Sequence, residues 1–79
     1  MIDSCEEENI EMTLTICCHR VVLRYWDFVH PITDELKNIL EEHGRERVNE
    51  CINNGYRSGE LNCLYDEEEI RGWWEITDD

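Results

Sequence analysis

The 79 residues carry twenty Asp and Glu against seven Lys and Arg, a formal net charge of −13, and 41% of them are hydrophobic. That apolar fraction is too high for an acidic disordered tail, which cannot bury enough surface to offset its ordering entropy. The length predicts one domain, residues 1–79, with a small core. So negative a surface argues against direct binding to nucleic acid or to an anionic membrane, and it favours a basic partner.

The first ten residues form an acidic lead-in, and they lack the apolar stretch of a secretory signal. No apolar run approaches the roughly 20 residues of a membrane span. The five cysteines, an odd number, are expected to remain reduced. These features together predict a cytoplasmic protein.

Residues 11–28 show the alternation of β-strands. Met12, Leu14 and Ile16 alternate with polar residues, and after His19 the apolar positions continue one residue out of phase. A β-bulge or a tight turn produces such a slip, so the segment forms either one long bulged strand or two strands. The lack of Gly or Asn near residue 19 argues against a hairpin there.

Apolar residues recur at helical spacing over residues 34–53, which predicts one helix. Thr33 is a suitable N-cap, and Gly55 suits the left-handed position that ends the helix. Gly44 costs a helix roughly 1 kcal/mol. Because it falls on the apolar stripe, it either allows a close approach to the sheet or breaks the helix into two.

Residues 60–76 are predicted to form a β-hairpin, with its turn at residues 66–69. The fold class is therefore α+β: one helix packed on a small antiparallel sheet, two layers in the order β(β)αββ. Trp73 and Trp74 point to opposite faces of one strand. Since one helix covers one face, Trp73 is either exposed or covered by the N-terminal segment.

The acidic side chains are the main candidates for a functional surface. Carboxylates at i and i+4 on a helix lie roughly 5–6 Å apart, close to the spacing of successive phosphates along a nucleic acid strand. The alternative is an ordinary solvated helix face. The residues predicted to contact a partner comprise six carboxylates and one apolar anchor: Glu35, Glu42, Glu46, Glu67, Glu68, Glu69 and Trp73.

The cysteines raise one further possibility, a zinc site. Cys18, Cys51 and Cys63 lie on predicted core faces, and His19 or Cys17 would supply a fourth ligand. No C-x-x-C pair is present, and buried free cysteine commonly packs as a small hydrophobic residue. No histidine has the setting of a catalytic base beside a nucleophile. We therefore predict no metal, no cofactor and no enzymatic activity.

The segments GYRSGEL at 55–61 and RGWWEI at 71–76 are similar to a compact hairpin module of phage proteins. In size, charge and layout the whole chain resembles the small acidic inhibitors, of anti-CRISPR and DNA-mimic type, that bacteriophages encode against host defences. The resemblance implies a protein that presents carboxylates to a basic nucleic-acid-binding complex, a CRISPR effector in the first instance, within the bacterial cytoplasm. It assigns no individual residue. The alternative function is a small adaptor or homodimer that associates through an exposed sheet edge and the Trp73 face.

Overall fold

The structure, a computed structural model, describes residues 10–78. Its elements are β1 (Ile10–Ile16), β2 (His19–Asp27), α1 (Asp34–Asn53), β3 (Ser58–Tyr65) and β4 (Glu68–Ile76). The strands pair antiparallel in the spatial order β1-β2-β4-β3. This confirms the predicted α+β fold with one helix on a single antiparallel sheet.

The segment 11–28 forms two strands joined by a hairpin, which resolves the open alternative. Ile16 pairs with His19, and the turn consists of Cys17 and Cys18 with φ angles of 53° and 69°. Two positive φ values in a two-residue loop match the right-handed twist of the flanking strands. The expectation that the lack of Gly or Asn disfavours a hairpin was wrong, because two cysteines adopt the left-handed conformation. The turn also accounts for the one-residue phase slip.

The helix has the predicted bounds and caps. The hydroxyl of Thr33 accepts a hydrogen bond from the Leu36 N–H at 3.1 Å. The other end closes over Asn54 and Gly55, whose φ of 92° is available to glycine at little cost. Between these ends α1 is continuous through Gly44, so the alternative of two short helices does not apply.

Gly44 lies at the place where the helix meets the centre of the sheet. It is buried, and a Cβ there would overlap Cδ1 of Leu23. The adjacent residues reach towards opposite edges: Arg45 donates a hydrogen bond to the Thr15 carbonyl of β1 at 3.3 Å, and His43 lies near the backbone of Asn62 on β3. The helix thus contacts both edge strands of the sheet, β1 and β3.

The core lies between α1 and one face of the sheet. Its fully buried side chains come from every element except β1, whose Ile10 and Ile16 are 6% and 4% exposed. As the alternation predicted, Trp74 points inwards. The fully buried hydrophobic residues are Val21, Leu23, Tyr25, Leu36, Leu40, Val48, Leu61, Ile70 and Trp74.

Two irregularities set the positions of exposed residues. The β3–β4 turn is formed by Asp66 and Glu67, both with positive φ, so Glu68 and Glu69 belong to β4 rather than to the predicted turn. A register shift between Tyr25 and Asp27 interrupts the pairing of β2 with β4. This bulge lies within segment 11–28, but near its end rather than at residue 19, where the phase slip falls. No helix within residues 10–78 combines the length and apolar character needed to cross a bilayer.

Candidate functional site

The exposed side of α1 carries a row of carboxylates. Four-residue steps along the helix connect Asp34, Glu42, Glu46 and Glu50, with Asn38 in the same row, and we call these residues the carboxylate ridge. Each step rises about 6 Å, so the ridge is about 24 Å long. The ridge therefore has the i, i+4 spacing on which the sequence-based prediction depended.

Neutralisation along the helix is incomplete. Arg45 pairs with Glu41 at 3.2 Å, and Arg47 pairs with Glu50 at 3.7 Å. By contrast, the predicted contact residues Glu35, Glu42 and Glu46 are exposed and form no ion pair with any residue of the range 10–78. Their negative charge is available to a partner.

The β3–β4 turn presents a second group of carboxylates. Glu67, Glu68 and Glu69 are exposed, and none of them is in an ion pair within the described part of the chain. His30, in the loop that leads to α1, is hydrogen-bonded to the Tyr65 carbonyl at 3.1 Å. The turn and the beginning of α1 consequently lie at the same end of the molecule.

Trp73 lies on a different side. It is 36% exposed on the face of the sheet that α1 does not cover, which we call the open sheet face, and Trp26 is 47% exposed there. Tyr56 is exposed in the loop between α1 and β3. The alternative in which the N-terminal segment covers Trp73 concerns residues 1–9, outside the described residues.

Arginine side chains on the open sheet face are largely neutralised by their neighbours. Arg24 lies 2.9 Å from a carboxylate oxygen of Glu11 and 3.9 Å from one of Glu75. Arg71 donates to Oδ2 of Asp27 from Nε at 2.9 Å and from Nη2 at 2.5 Å. The face therefore combines two exposed indoles with two paired arginines, and its exposed carboxylates Glu60 and Glu69 form no ion pair within residues 10–78.

The seven predicted contact residues therefore do not form one surface. Glu42 and Glu46 lie on the helix side of the sheet, Trp73 lies on the other side, and Glu69 is the predicted carboxylate that shares the open sheet face with Trp73. A partner with a flat surface can contact either the carboxylate ridge or the two exposed tryptophans, but not both at once. No pattern in the sequence assigns Trp26 to this face, because its exposure depends on the bulge beside it.

The opposite end of the molecule contains a cavity of about 490 Å³ with titratable side chains. His19 Nδ1 lies 2.9 Å from Asp78 Oδ2, and this hydrogen bond lowers the pKa of Asp78. Cys18 lines the same cavity, whereas the thiol of Cys17 donates to Oδ1 of Asn49 at 2.6 Å. Within residues 10–78 no hydrogen bond joins Cys18 to His19, so the cavity does not hold an assembled nucleophile–base pair.

The cysteines do not converge as the zinc hypothesis required. Cys18 is exposed in the β1–β2 turn, contrary to its predicted place on a core face, because the chain reverses there. Cys51 and Cys63 are half-buried. Across the described range, no three His, Cys, Asp or Glu side chains are arranged to hold a metal ion.

Comparison with known proteins gives a negative result. No family model matches this chain. No curated protein and no solved structure is significantly similar to it. Any assignment of function therefore depends on the surfaces described above.

Proposed function

We propose that this protein is a non-enzymatic inhibitor that binds the basic surface of a nucleic-acid-binding complex in the bacterial cytoplasm. Its carboxylates would take the place of phosphates on the lysine and arginine side chains that hold DNA or RNA. The first target we would test is the effector of a CRISPR system, which makes the protein an anti-CRISPR candidate of phage origin.

One observation carries the proposal: all six carboxylates predicted for partner contact are exposed and form no ion pair within residues 10–78. Three are on the helix and three at the β3–β4 turn, in a chain with a net charge of −13. An acidic surface kept only for solubility needs a much smaller net charge. Excess charge that is unpaired within the fold is charge that a basic partner can neutralise.

The expected binding has a kinetic signature. Complementary charge accelerates encounter, with association rate constants that rise well above the ordinary range at low salt and fall as salt is added. Competing DNA would reduce binding as well, because both ligands would occupy the same basic groove. Salt sensitivity alone is a weaker criterion than competition with DNA.

The test uses a purified CRISPR effector complex and labelled target DNA, with DNA binding followed by fluorescence anisotropy. We expect the wild-type protein to compete with the DNA. The double variant Glu42→Lys/Glu46→Lys should abolish inhibition, while its thermal stability stays nearly unchanged. A second comparison uses two double variants that remove charge without reversing it. The test variant is Glu42→Gln/Glu46→Gln, and the control variant, Glu11→Gln/Glu75→Gln, replaces two carboxylates that are ion-paired in the structure. Each pair changes the net charge by the same amount, so unequal loss of inhibition would show that the position of the charge matters.

Full inhibition by the Lys variant would exclude the helix as the phosphate mimic. Equal, small losses from both Gln pairs would mean that only the total charge contributes. Failure of the wild-type protein to displace DNA from any effector complex would refute the target class. A tagged pull-down from bacterial lysate, washed at low and high salt, identifies candidate complexes for the assay.

A second function, a small adaptor or homodimer, is favoured by the exposure of Trp26 and Trp73 on the open sheet face. Tryptophan is enriched among the residues that contribute most to protein–protein binding. In that case Trp73→Ala would weaken association strongly, and the Lys variant of the helix would have little effect. The two functions therefore give opposite results with the same pair of variants.

A further inference from the structure

The open sheet face contains a cleft of about 200 Å³ between its two exposed tryptophans. The register of the strands accounts for this arrangement. Glu60 of β3 lies opposite Trp73 of β4. The bulge in β2 brings Trp26 beside the neighbouring pair, in which Asp27 of β2 lies opposite Arg71 of β4. We call this the tryptophan cleft. Its lining residues are Trp26, Glu60, Asn62, Arg71, Gly72 and Trp73.

The cleft is negative although it contains an arginine. Asp27 fixes the Arg71 guanidinium through two hydrogen bonds, at 2.9 Å and 2.5 Å. Glu69 and Glu60 are also close enough to raise the pKa of Arg71, after the larger effect of Asp27. Asp27 thus neutralises the guanidinium, and the charges of Glu60, which lines the cleft, and of Glu69 nearby have no cation within residues 10–78.

The size of the cleft limits what it can accept. Pockets for drug-sized molecules measure roughly 300–1,000 Å³, so a cleft of about 200 Å³ suits a single side chain. Indole faces attract a cation placed over the ring, and an exposed carboxylate strengthens the contact by a charge-assisted hydrogen bond. The cleft offers both kinds of group, because Trp26, Trp73 and Glu60 all line it.

We propose that the tryptophan cleft binds one lysine or arginine side chain that projects from the surface of the partner protein. This inference rests on the proposed function, since that function supplies a basic partner. It adds a specific contact on the side of the sheet opposite the carboxylate ridge. Arg71, fixed to Asp27, then serves to hold the floor of the cleft rather than to bind an anion.

The test follows the three indole N–H signals by NMR during titration with N-acetyl-arginine amide and N-acetyl-lysine amide. We expect the signals of Trp26 and Trp73 to shift, with dissociation constants in the millimolar range for so small a ligand. Trp74 is fully buried and serves as an internal reference. N-acetyl-norleucine amide, of similar shape without the charge, should produce no comparable shift.

Variants separate the cleft from general electrostatic attraction. Trp73→Ala should weaken binding of N-acetyl-arginine amide by about 3- to 30-fold, and Glu60→Gln by about 2- to 5-fold. Glu41→Gln makes the same change of charge on the helix side of the sheet, at a residue outside the predicted contact set, and should leave binding unchanged. Equal weakening by Glu41→Gln and Glu60→Gln, or equal shifts with the norleucine compound, would overturn the proposal.

The outcomes also distinguish this inference from the proposed function. Indole shifts with the arginine probe, in a protein that displaces no DNA from any effector, would support the cleft and refute the function. Normal inhibition by Trp73→Ala, without indole shifts, would refute the cleft alone. If the Trp26 and Trp73 signals shift with protein concentration in the absence of probe, the occupant is a second copy and the inference is overturned.

Discussion

Replacing Gly44 by alanine tests how closely the helix approaches the sheet. Alanine is favoured over glycine within a helix by about 1 kcal/mol, so the substitution would stabilise an isolated helix. In the folded protein the new methyl group would overlap Cδ1 of Leu23, a fully buried side chain with little room to move. Overpacking of a core costs roughly 1–3 kcal/mol. We therefore expect Gly44→Ala to lower the free energy of unfolding by about 1 kcal/mol in total.

The decisive measurement repeats the substitution in a Leu23→Val background. Leu23→Val alone should cost about 1 kcal/mol through the cavity it leaves. With Cδ1 absent, Gly44→Ala should become stabilising by as much as about 1 kcal/mol, so its sign reverses between backgrounds. Urea denaturation followed by circular dichroism gives both values, and a loss of 1 kcal/mol lowers the Tm by about 4–8 °C in a domain of this size.

Asn38→Ala provides the control for this cycle. Asn38 is exposed on the same helix, so its replacement should have the same effect in both backgrounds. If Gly44→Ala stabilises the protein by about 1 kcal/mol in both backgrounds, the helix does not press on Leu23 and the reasoning fails. If both Gly44→Ala and Asn38→Ala change sign, the Leu23→Val background has altered the whole helix.

Two further predictions concern stability. Burial, followed by the charge of Arg47, lowers the pKa of His43 below its ordinary value of 6.5. The unfolded chain therefore takes up the proton first as the pH falls, and the free energy of unfolding should decrease below about pH 6.5. Urea denaturation at pH 7.5 and pH 5.5 measures this decrease, which should be smaller for His43→Gln than for the wild type. Cys17→Asn combined with Cys18→Gly places the favoured pair in a turn with two positive φ angles and should raise the free energy of unfolding by about 1 kcal/mol. An unchanged midpoint in urea, under reducing conditions, would contradict that expectation.

The elements of this fold were predictable where hydrophobic periodicity and capping agree. Thr33, the apolar stripe and Gly55 define α1 at both ends, and Trp74 follows directly from alternation in β4. The β1–β2 turn was not predictable by the same means. Its two cysteines carry no preference for positive φ, and the hairpin forms because the flanking strands gain their pairing and their core contacts.

The candidate site was predictable in its chemistry but not in its distribution. The sequence places the carboxylates along the helix but does not show which of them are paired, since Arg45 is within reach of both Glu41 and Glu42 and pairs with Glu41. It does not reveal that Arg71 pairs with Asp27, since these residues are brought together by the pairing of β2 with β4 across a bulge. The tryptophan cleft depends on that bulge, and no local pattern marks its position.

The separation of the two surfaces has a consequence for binding. The carboxylate ridge lies on one side of the sheet and the tryptophan cleft on the other, with the acidic β3–β4 turn at one end. A groove of the partner protein that encloses the end with the β3–β4 turn would contact the carboxylate ridge and the tryptophan cleft together, in the way that it encloses a nucleic acid strand. Long-range attraction by the ridge is screened by salt, whereas a cation over an indole in a narrow cleft is screened less. Loss of the ridge should therefore mainly slow association, and loss of Trp73 should mainly speed dissociation.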